Sequence, residues 1–204
     1  HGRTLAMVSA SGQSNYQQPY TPLPSGFINV EYNNIEAIKQ ATTATVCAVM
    51  LEPVQGEGGV NVPSPEYLKE VRHWCDEKGL ILIFDEIQTG IGRTGALFAY
   101  QLYDVEPDIM TLAKGLGGGL PIGAIMAKDK FSVFTAGEHG STFGGNLVTC
   151  AAAYATVKYV IDNEIPRHAH EMGRYLTEKL IQLKGKHPSL ISGVRGKGLL
   201  LAVQ

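Results

Sequence analysis

Cysteine is scarce in this chain of 204 residues, which contains only Cys47, Cys75 and Cys150. The three are isolated, odd in number and not spaced as Cys-x-x-Cys. The sequence therefore predicts neither a disulfide framework nor a zinc site, and we expect no bound metal. Unpaired cysteines are typical of a reducing compartment, so we expect a cytoplasmic protein.

An excess of positive charge is also missing. The chain has 17 Lys and Arg against 19 Asp and Glu, a net charge of −2, and it has no basic run. This balance argues against nucleic-acid binding and against polybasic membrane binding. Gly, Pro or charged residues interrupt the longest apolar stretches well before they could span a membrane, and the start shows no signal-peptide pattern. We therefore expect no nucleic-acid or membrane partner.

The chain does contain two continuously apolar runs that each end in an ionisable residue. Residues 80–84 end at Asp85, and residues 109–113 end at Lys114. Continuous apolar character is typical of buried parallel strands, and ligands of open α/β sheets bind beyond the carboxyl ends of such strands. Asp85 and Lys114 are therefore expected to face one crevice. A lysine that can form a Schiff base and an aspartate that can pair with a pyridinium nitrogen suit pyridoxal phosphate.

Strand and helix signals alternate along the rest of the chain. The hydrophobic content of 44% fits one large domain, and the alternation predicts an α/β fold with a parallel sheet. Strands are expected at 46–51, 80–84, 109–113 and 122–127. A helix is expected between Ser64, which would cap its start before Pro65 in the first position, and Gly79, which would follow its end. Further helices are expected at 148–163 and 167–184. Residues 194–203 are expected to begin a smaller α+β domain.

Glycine clusters lie next to the candidate lysine and in a later loop. Glycine costs backbone entropy, so Gly117–Gly119 and Gly144–Gly145 indicate a close approach of the main chain to some other group. Each candidate residue also has an ordinary explanation, because a lysine after a strand is usually a solvated charge and an aspartate there often caps the next helix. The glycines favour the functional interpretation.

Five segments, in this order, resemble the signature motifs of the class III pyridoxal-phosphate aminotransferases. They read LEPVQGEGG at 51–59, FDEIQTG at 84–90, GRTG at 92–95, AKGL at 113–116 and HGSTFGGN at 139–146, and the opening HGRT at 1–4 extends the similarity. The resemblance covers nearly the whole chain. It implies an aminotransferase that moves an ω-amino group from a small-molecule donor to 2-oxoglutarate, with N-acetylornithine as the favoured donor.

The resemblance also implies roles for the residues that follow the two strands. Lys114 would carry the cofactor and move protons, and Asp85 would keep the ring nitrogen protonated. Glu86, Ile87 and Gln88 belong to the cofactor-binding run, in which Ile87 would pack on the ring face and Gln88 would reach the phenolic oxygen. An ordinary alternative is that Ile87 is a core residue and Gln88 bonds only within its loop.

Substrate and partner contacts are implied in the same way. Arg3 would bind the distal carboxylate of the donor, Ser141 would lie near the substrate, and Glu57 would be a switchable carboxylate. Glu52 is left as a residue that supports its loop. Thr142 would reach the phosphate of the neighbouring subunit's cofactor, which requires a homodimer with a shared active site; the ordinary alternative is a hydroxyl at a helix start.

The family fold is expected to divide the chain into two parts. Residues 1–190 would form the large pyridoxal-phosphate-binding domain of a fold-type-I aminotransferase, incomplete at its N-terminus, and residues 191–204 would start a small α+β domain. The family's phosphate loop and α-carboxylate arginine would lie outside the chain, so the piece would be inactive alone. Ornithine, 4-aminobutyrate or succinylornithine aminotransferases, a glutamate-semialdehyde aminomutase and a noncatalytic scaffold remain alternatives.

Overall fold

A four-stranded sheet forms the centre of the fold in the computed structural model, which describes residues 1–204. Its strands stand in sequence order and span Ala48–Leu51 (β1), Ile81–Asp85 (β2), Ile109–Leu112 (β3) and Ala124–Ala127 (β4). β1, β2 and β3 are parallel, with Leu51 paired to Phe84 and Asp85 paired to Thr111. The expectation of a mostly parallel sheet in an α/β fold is therefore confirmed, and the carboxyl ends of β2 and β3 lie side by side.

The fourth strand departs from the prediction, because it runs antiparallel to β3 and begins at Ala124 rather than at Ile122. A parallel neighbour needs a long crossover, usually through a helix. Residues 113–123 contain only a 3₁₀ turn, Lys114–Gly117. This link returns the chain in the opposite direction, and the lysine is placed where the chain leaves β3.

The helices lie before, between and after the strands of the sheet in the chain. They are Leu5–Ala10 (α1), Ser14–Gln17 (α2), Ile35–Ala41 (α3), Tyr67–Lys78 (α4), Tyr100–Tyr103 (α5), Leu147–Asp162 (α6) and Ile165–Lys186 (α7), with further 3₁₀ turns at Gln18–Tyr20 and Asp129–Phe131. The long helices α6 and α7 lie within two residues of their predicted limits. No helix combines the length and the apolar character that crossing a bilayer requires.

The start of α4 was predicted wrongly. Ser64 does not cap this helix, because its backbone N–H and its hydroxyl both donate to Asn33 Oδ1, at 2.8 and 3.0 Å. The helix begins at Tyr67 and ends before Gly79, as its end was predicted. A local capping signal was thus overridden by a tertiary contact with a residue 31 positions earlier.

Two groups of buried side chains hold the elements together. The larger group packs α4 against β2, with Leu68, Val71, Leu82 and Phe84 all inaccessible to solvent. Burying each such side chain stabilises the fold by about 1.5–3 kcal/mol. The smaller group joins β3 to the turn after Lys114 and to α6, through Met110, Leu112, Leu116 and Ala153. The segments that carry Asp85 and Lys114 are therefore anchored in the core.

The last residues form a separate two-stranded sheet. Val194–Lys197 (β5) and Leu200–Val203 (β6) pair as an antiparallel hairpin. The hairpin meets the rest of the chain where Leu199 N–H donates to the Arg93 carbonyl at 2.9 Å and Arg195 Nε donates to the Gly59 carbonyl at 2.8 Å. A domain boundary near residue 190 stays a prediction.

Candidate active site

Asp85 ends β2 with a carboxylate that the fold orients. Only 5% of the residue is exposed, and its Oδ1 accepts the Ile87 N–H at 3.0 Å. Its Oδ2 lies on the side of His1. One oxygen is therefore held by the following turn, while the other points into the crevice.

Lys114 follows β3 in an unusual backbone conformation. Its φ angle is +44°, in the left-handed region that residues with a side chain rarely adopt. Its Nζ lies 2.8 Å from His1 Nε2. Because β2 ends at Asp85 and runs parallel to β3, the structure brings Asp85 and Lys114 into one crevice at the carboxyl ends of neighbouring strands.

This donor set fits a protonated pyridine ring. A carboxylate accepts a hydrogen bond from a ring N–H⁺, and the Oδ2 atom of Asp85 is not held by the turn that binds Oδ1. Lys114 supplies an amine at the end of the neighbouring strand. Asp85 and Lys114 are therefore the residues that would hold pyridoxal phosphate.

Gln88 lies at this site through a contact with a second acid. Gln88 Nε2 and the Gly56 N–H both donate to Glu52 Oε1, each at 3.3 Å. Burial raises the pKa of the Glu52 carboxyl, and these two hydrogen bonds oppose the rise. A Cβ on Gly56 would stand 2.3 Å from Gln88 Nε2, so glycine is required there for Gln88 to keep its place. Glu52 thus supports both its loop and Gln88.

Glu86 points away from the crevice into the protein. Only 1% of it is exposed, and its carboxylate accepts the Thr89 hydroxyl at 2.5 Å and the N–H groups of Ala99 and Tyr100 at 2.9 and 2.8 Å. Burial raises its pKa, against the effect of these hydrogen bonds. The side chain fixes the loop between β2 and α5. Ile87, which is half-buried, reaches the site through its backbone N–H on Asp85.

The proposed substrate residues Arg3 and Glu57 both contact Tyr16. The Arg3 guanidinium carbon lies 3.7 Å from the centre of the Tyr16 ring, and the Tyr16 hydroxyl donates to Glu57 Oε1 at 3.2 Å. Arg3 and Glu57 are both exposed. Sequence reasoning missed Tyr16, because it stands 13 residues after Arg3 and outside every recognised motif.

Ser141 and Thr142 lie in an exposed loop before α6. The start of this helix is capped by Asn146, whose Oδ1 accepts the N–H groups of Val148 and Thr149. Thr142 is therefore not the hydroxyl at the helix start. The structure does not bring Ser141 or Thr142 into contact with Asp85 or Lys114 within this chain.

Among the glycines after Lys114, Gly118 makes the close approach to another group that was expected. Gly118 has a φ angle of +57°, and a Cβ there would stand 2.4 Å from the Thr156 hydroxyl oxygen on α6. The close approach is therefore to the protein's own helix. It anchors the turn that carries Lys114.

Comparisons with known proteins identify the family to which the chain belongs. A model of the class-III aminotransferases matches residues 1–204. The chain is 50% identical to the acetylornithine aminotransferase of Caldanaerobacter subterraneus subsp. tengcongensis, over 100% of this chain and 52% of that protein. It is 46% identical to ornithine aminotransferase 2 of Staphylococcus aureus, over 100% of this chain and 51% of that protein. The chain spans about half the length of these relatives.

A solved structure of the ornithine aminotransferase from Toxoplasma gondii gives the same result for the fold. It has a TM-score of 0.94 and 41% identity, over 100% of this chain and 48% of that one. That protein was crystallized in the presence of oxidized glutathione and has partial occupancy of PLP at its active site.

Proposed function

We propose that this chain, which belongs to the class-III aminotransferases, is part of an enzyme that transfers the ω-amino group of N-acetylornithine to 2-oxoglutarate with pyridoxal phosphate. The observation that carries the proposal is that Asp85 ends β2 and Lys114 follows β3, so that both lie at the carboxyl ends of neighbouring parallel strands. Similarity to the acetylornithine aminotransferase of Caldanaerobacter supports N-acetylornithine as the amino donor.

Each residue of the crevice has a task that its geometry suits. When bound, pyridoxal phosphate would supply an electron sink for the substrate carbon that loses its proton. Lys114 Nζ would tether the cofactor and then hold and return that proton. Asp85 Oδ2 would keep a proton on the ring nitrogen, because its other oxygen is already bound to the Ile87 N–H. Gln88, held by Glu52, would donate its amide to the phenolic oxygen.

Arg3 would bind the carboxylate of N-acetylornithine, because a guanidinium matches a carboxylate in charge and in shape. Ser141 and Glu57 remain substrate residues in the proposal. Ornithine is the second candidate donor, since the chain is 46% identical to ornithine aminotransferase 2 of Staphylococcus aureus and 41% identical to the Toxoplasma enzyme. Both donors carry a carboxylate at the far end from the reacting amine.

A homodimer with a shared site is the assembly we propose. Thr142 would bind the phosphate of the neighbouring subunit's cofactor, a role that its exposure in this chain allows. Large apolar side chains in residues 134–147 are also exposed, with Phe134 exposed by 70%, Phe143 by 82% and Leu147 by 85%. An exposed apolar patch of this kind is typical of protein interfaces. A cytoplasmic location is part of the proposal and is supported by the three free cysteines.

Steady-state assays of the full-length protein test the function. With 2-oxoglutarate as acceptor, N-acetylornithine should give a higher kcat/KM than ornithine, 4-aminobutyrate or succinylornithine, and glutamate should form in proportion. Conversion of glutamate 1-semialdehyde in the absence of 2-oxoglutarate would indicate an aminomutase instead. Highest activity with ornithine would establish the second candidate, and absence of turnover and of a bound cofactor would indicate a scaffold.

Arg3→Ala tests the substrate contact within the same assays. Loss of a charge-assisted hydrogen bond costs about 1.5–3 kcal/mol, which corresponds to a rise in the KM for N-acetylornithine of about tenfold or more. N-acetylputrescine is the matched donor, because it differs from N-acetylornithine only in lacking the carboxylate. Its KM should change much less, whereas an equal loss for both donors would exclude a carboxylate-binding role.

A further inference from the structure

Tyr16 stands between two opposite charges that are not paired with each other. Its ring supports the Arg3 guanidinium at 3.7 Å, and its hydroxyl donates to Glu57 Oε1 at 3.2 Å. The tyrosine is half-buried, whereas Arg3 and Glu57 are exposed. The ring therefore holds one face of the guanidinium and leaves the N–H groups at its edge available for a ligand.

The helix that carries Tyr16 is fixed to the segment that carries Arg3. The neighbouring Gln17 donates from Nε2 to the Ser11 carbonyl at 2.6 Å and to the Val8 and Ser9 carbonyls at 3.3 Å. These carbonyls belong to α1 and its end, and α1 begins two residues after Arg3. Arg3 and Tyr16 therefore lie in two segments that hydrogen bonds hold together, and their stacking does not join two independent loops.

The ring and the hydroxyl have separate consequences for Arg3. A guanidinium over an aromatic face gains about 0.5–1 kcal/mol at an exposed site, and it loses rotational freedom that substrate binding would otherwise have to remove. The hydroxyl occupies one oxygen of Glu57. Without the tyrosine, Glu57 could form an ion pair with Arg3 and compete with a substrate carboxylate for the same N–H groups.

We propose that Tyr16 is a positioning residue that presents the Arg3 guanidinium to a substrate carboxylate and keeps Glu57 from neutralising it. This inference rests on the proposed function, because it assigns Arg3 to the carboxylate of the amino donor. Tyr16 would determine specificity through Arg3, and it would do so without touching the reacting atoms.

The test compares Tyr16→Leu with Tyr16→Phe in the full-length holoenzyme. N-acetylnorvaline, which keeps the carboxylate but has no reacting amine, is the binding probe. Tyr16→Leu should raise its inhibition constant about two- to fivefold, the factor that corresponds to loss of an exposed cation–π contact. Tyr16→Phe keeps the ring but frees Glu57, so it should raise the inhibition constant by less than Tyr16→Leu does, through competition from Glu57 alone. Tyr20→Leu is the matched control, because Tyr20 is 58% exposed in the turn that follows α2.

A second substitution separates this role from a merely structural one. In Tyr16→Leu, the preference for N-acetylornithine over N-acetylputrescine should fall with kcat for the latter unchanged. Compared with Glu57→Gln alone, the Tyr16→Leu/Glu57→Gln variant should lose less of that preference than Tyr16→Leu loses compared with the wild type, because the competing carboxylate is gone. A structural defect would not be repaired by removing a second side chain from the same site.

The outcomes are distinct from failure of the proposed function. If the wild type does not use N-acetylornithine, the proposed function fails. If the wild type is active but Tyr16→Leu binds N-acetylnorvaline like the Tyr20→Leu control, the role of Tyr16 is refuted. Equal losses for both donors, or absence of rescue by Glu57→Gln, would also refute it.

Discussion

Replacing Glu86 by glutamine tests whether this buried acid holds the loop behind the site. Glu86 Oε2 accepts from the Thr89 hydroxyl and the Ala99 N–H, while Oε1 accepts from the Tyr100 N–H. Glutamine has nearly the same volume but only one acceptor oxygen. In its better orientation the glutamine oxygen keeps the hydrogen bonds from the Thr89 hydroxyl and the Ala99 N–H. Its NH₂ group then faces the Tyr100 N–H, so that this backbone donor loses its partner.

The size of the effect follows from these contacts. One unsatisfied N–H costs about 1–3 kcal/mol, and the two remaining bonds lose their charge assistance. The neutral amide avoids the cost of burying a charge, which offsets part of this loss. We therefore expect Glu86→Gln to reduce the free energy of unfolding by roughly 2 kcal/mol, and Glu86→Ala by about 4 kcal/mol, because alanine removes all three acceptor contacts and leaves a cavity.

Urea unfolding of the full-length protein, followed by circular dichroism, measures both values. Glu66→Gln is the control, since Glu66 is exposed and makes no capping hydrogen bond at the start of α4. A surface change of this kind usually alters stability by less than about 0.5 kcal/mol. If Glu86→Gln were as stable as Glu66→Gln, the carboxylate would not be holding the loop.

Three further predictions concern charge and assembly. Burial alone would raise the pKa of Asp108, but hydrogen bonds from Leu82 N–H and Arg72 lower it. The contribution of Asp108 to the free energy of unfolding is therefore lost as pH falls through and below the ordinary aspartate pKa of about 3.9. The free energy of unfolding of Asp108→Asn should depend less on pH between 6 and 3 than that of the wild type, and equal dependence would contradict this. Asp85→Asn should keep the cofactor but slow single-turnover proton abstraction by about a hundredfold or more, with Asp85→Glu milder, and near-normal rates would contradict it. Lys114→Ala and Thr142→Val, each inactive alone, should regain part of the activity as mixed dimers, whereas verified subunit exchange without activity would place Thr142 in its own subunit's site.

The strands and the positions of the two central residues followed from the sequence. Continuous apolar runs indicated β2 and β3, and a parallel pair places Asp85 and Lys114 at one edge of the sheet. Local signals were less reliable where distant residues intervene. Ser64 has the sequence context of a helix cap, yet Asn33 binds it, and β4 reverses because its connection contains no helix.

Side-chain partners were the least predictable part of the site. The run 85–88 alternates in direction, so that Asp85 faces the crevice while Glu86 bonds to Ala99 and Tyr100 in the interior. Nothing in the local spacing distinguishes two adjacent acids. The role of Tyr16 could not be predicted from the sequence either, because Tyr16 contacts Arg3, 13 residues earlier, and Glu57, 41 residues later.

Borohydride reduction of the holoenzyme, followed by peptide mapping, shows which lysine carries the cofactor. Lys114 leaves β3 with a strained backbone, beside the strand that ends at Asp85. We expect a pyridoxyl group on Lys114 Nζ and no such label in Lys114→Ala. A pyridoxyl group on another lysine would contradict this assignment.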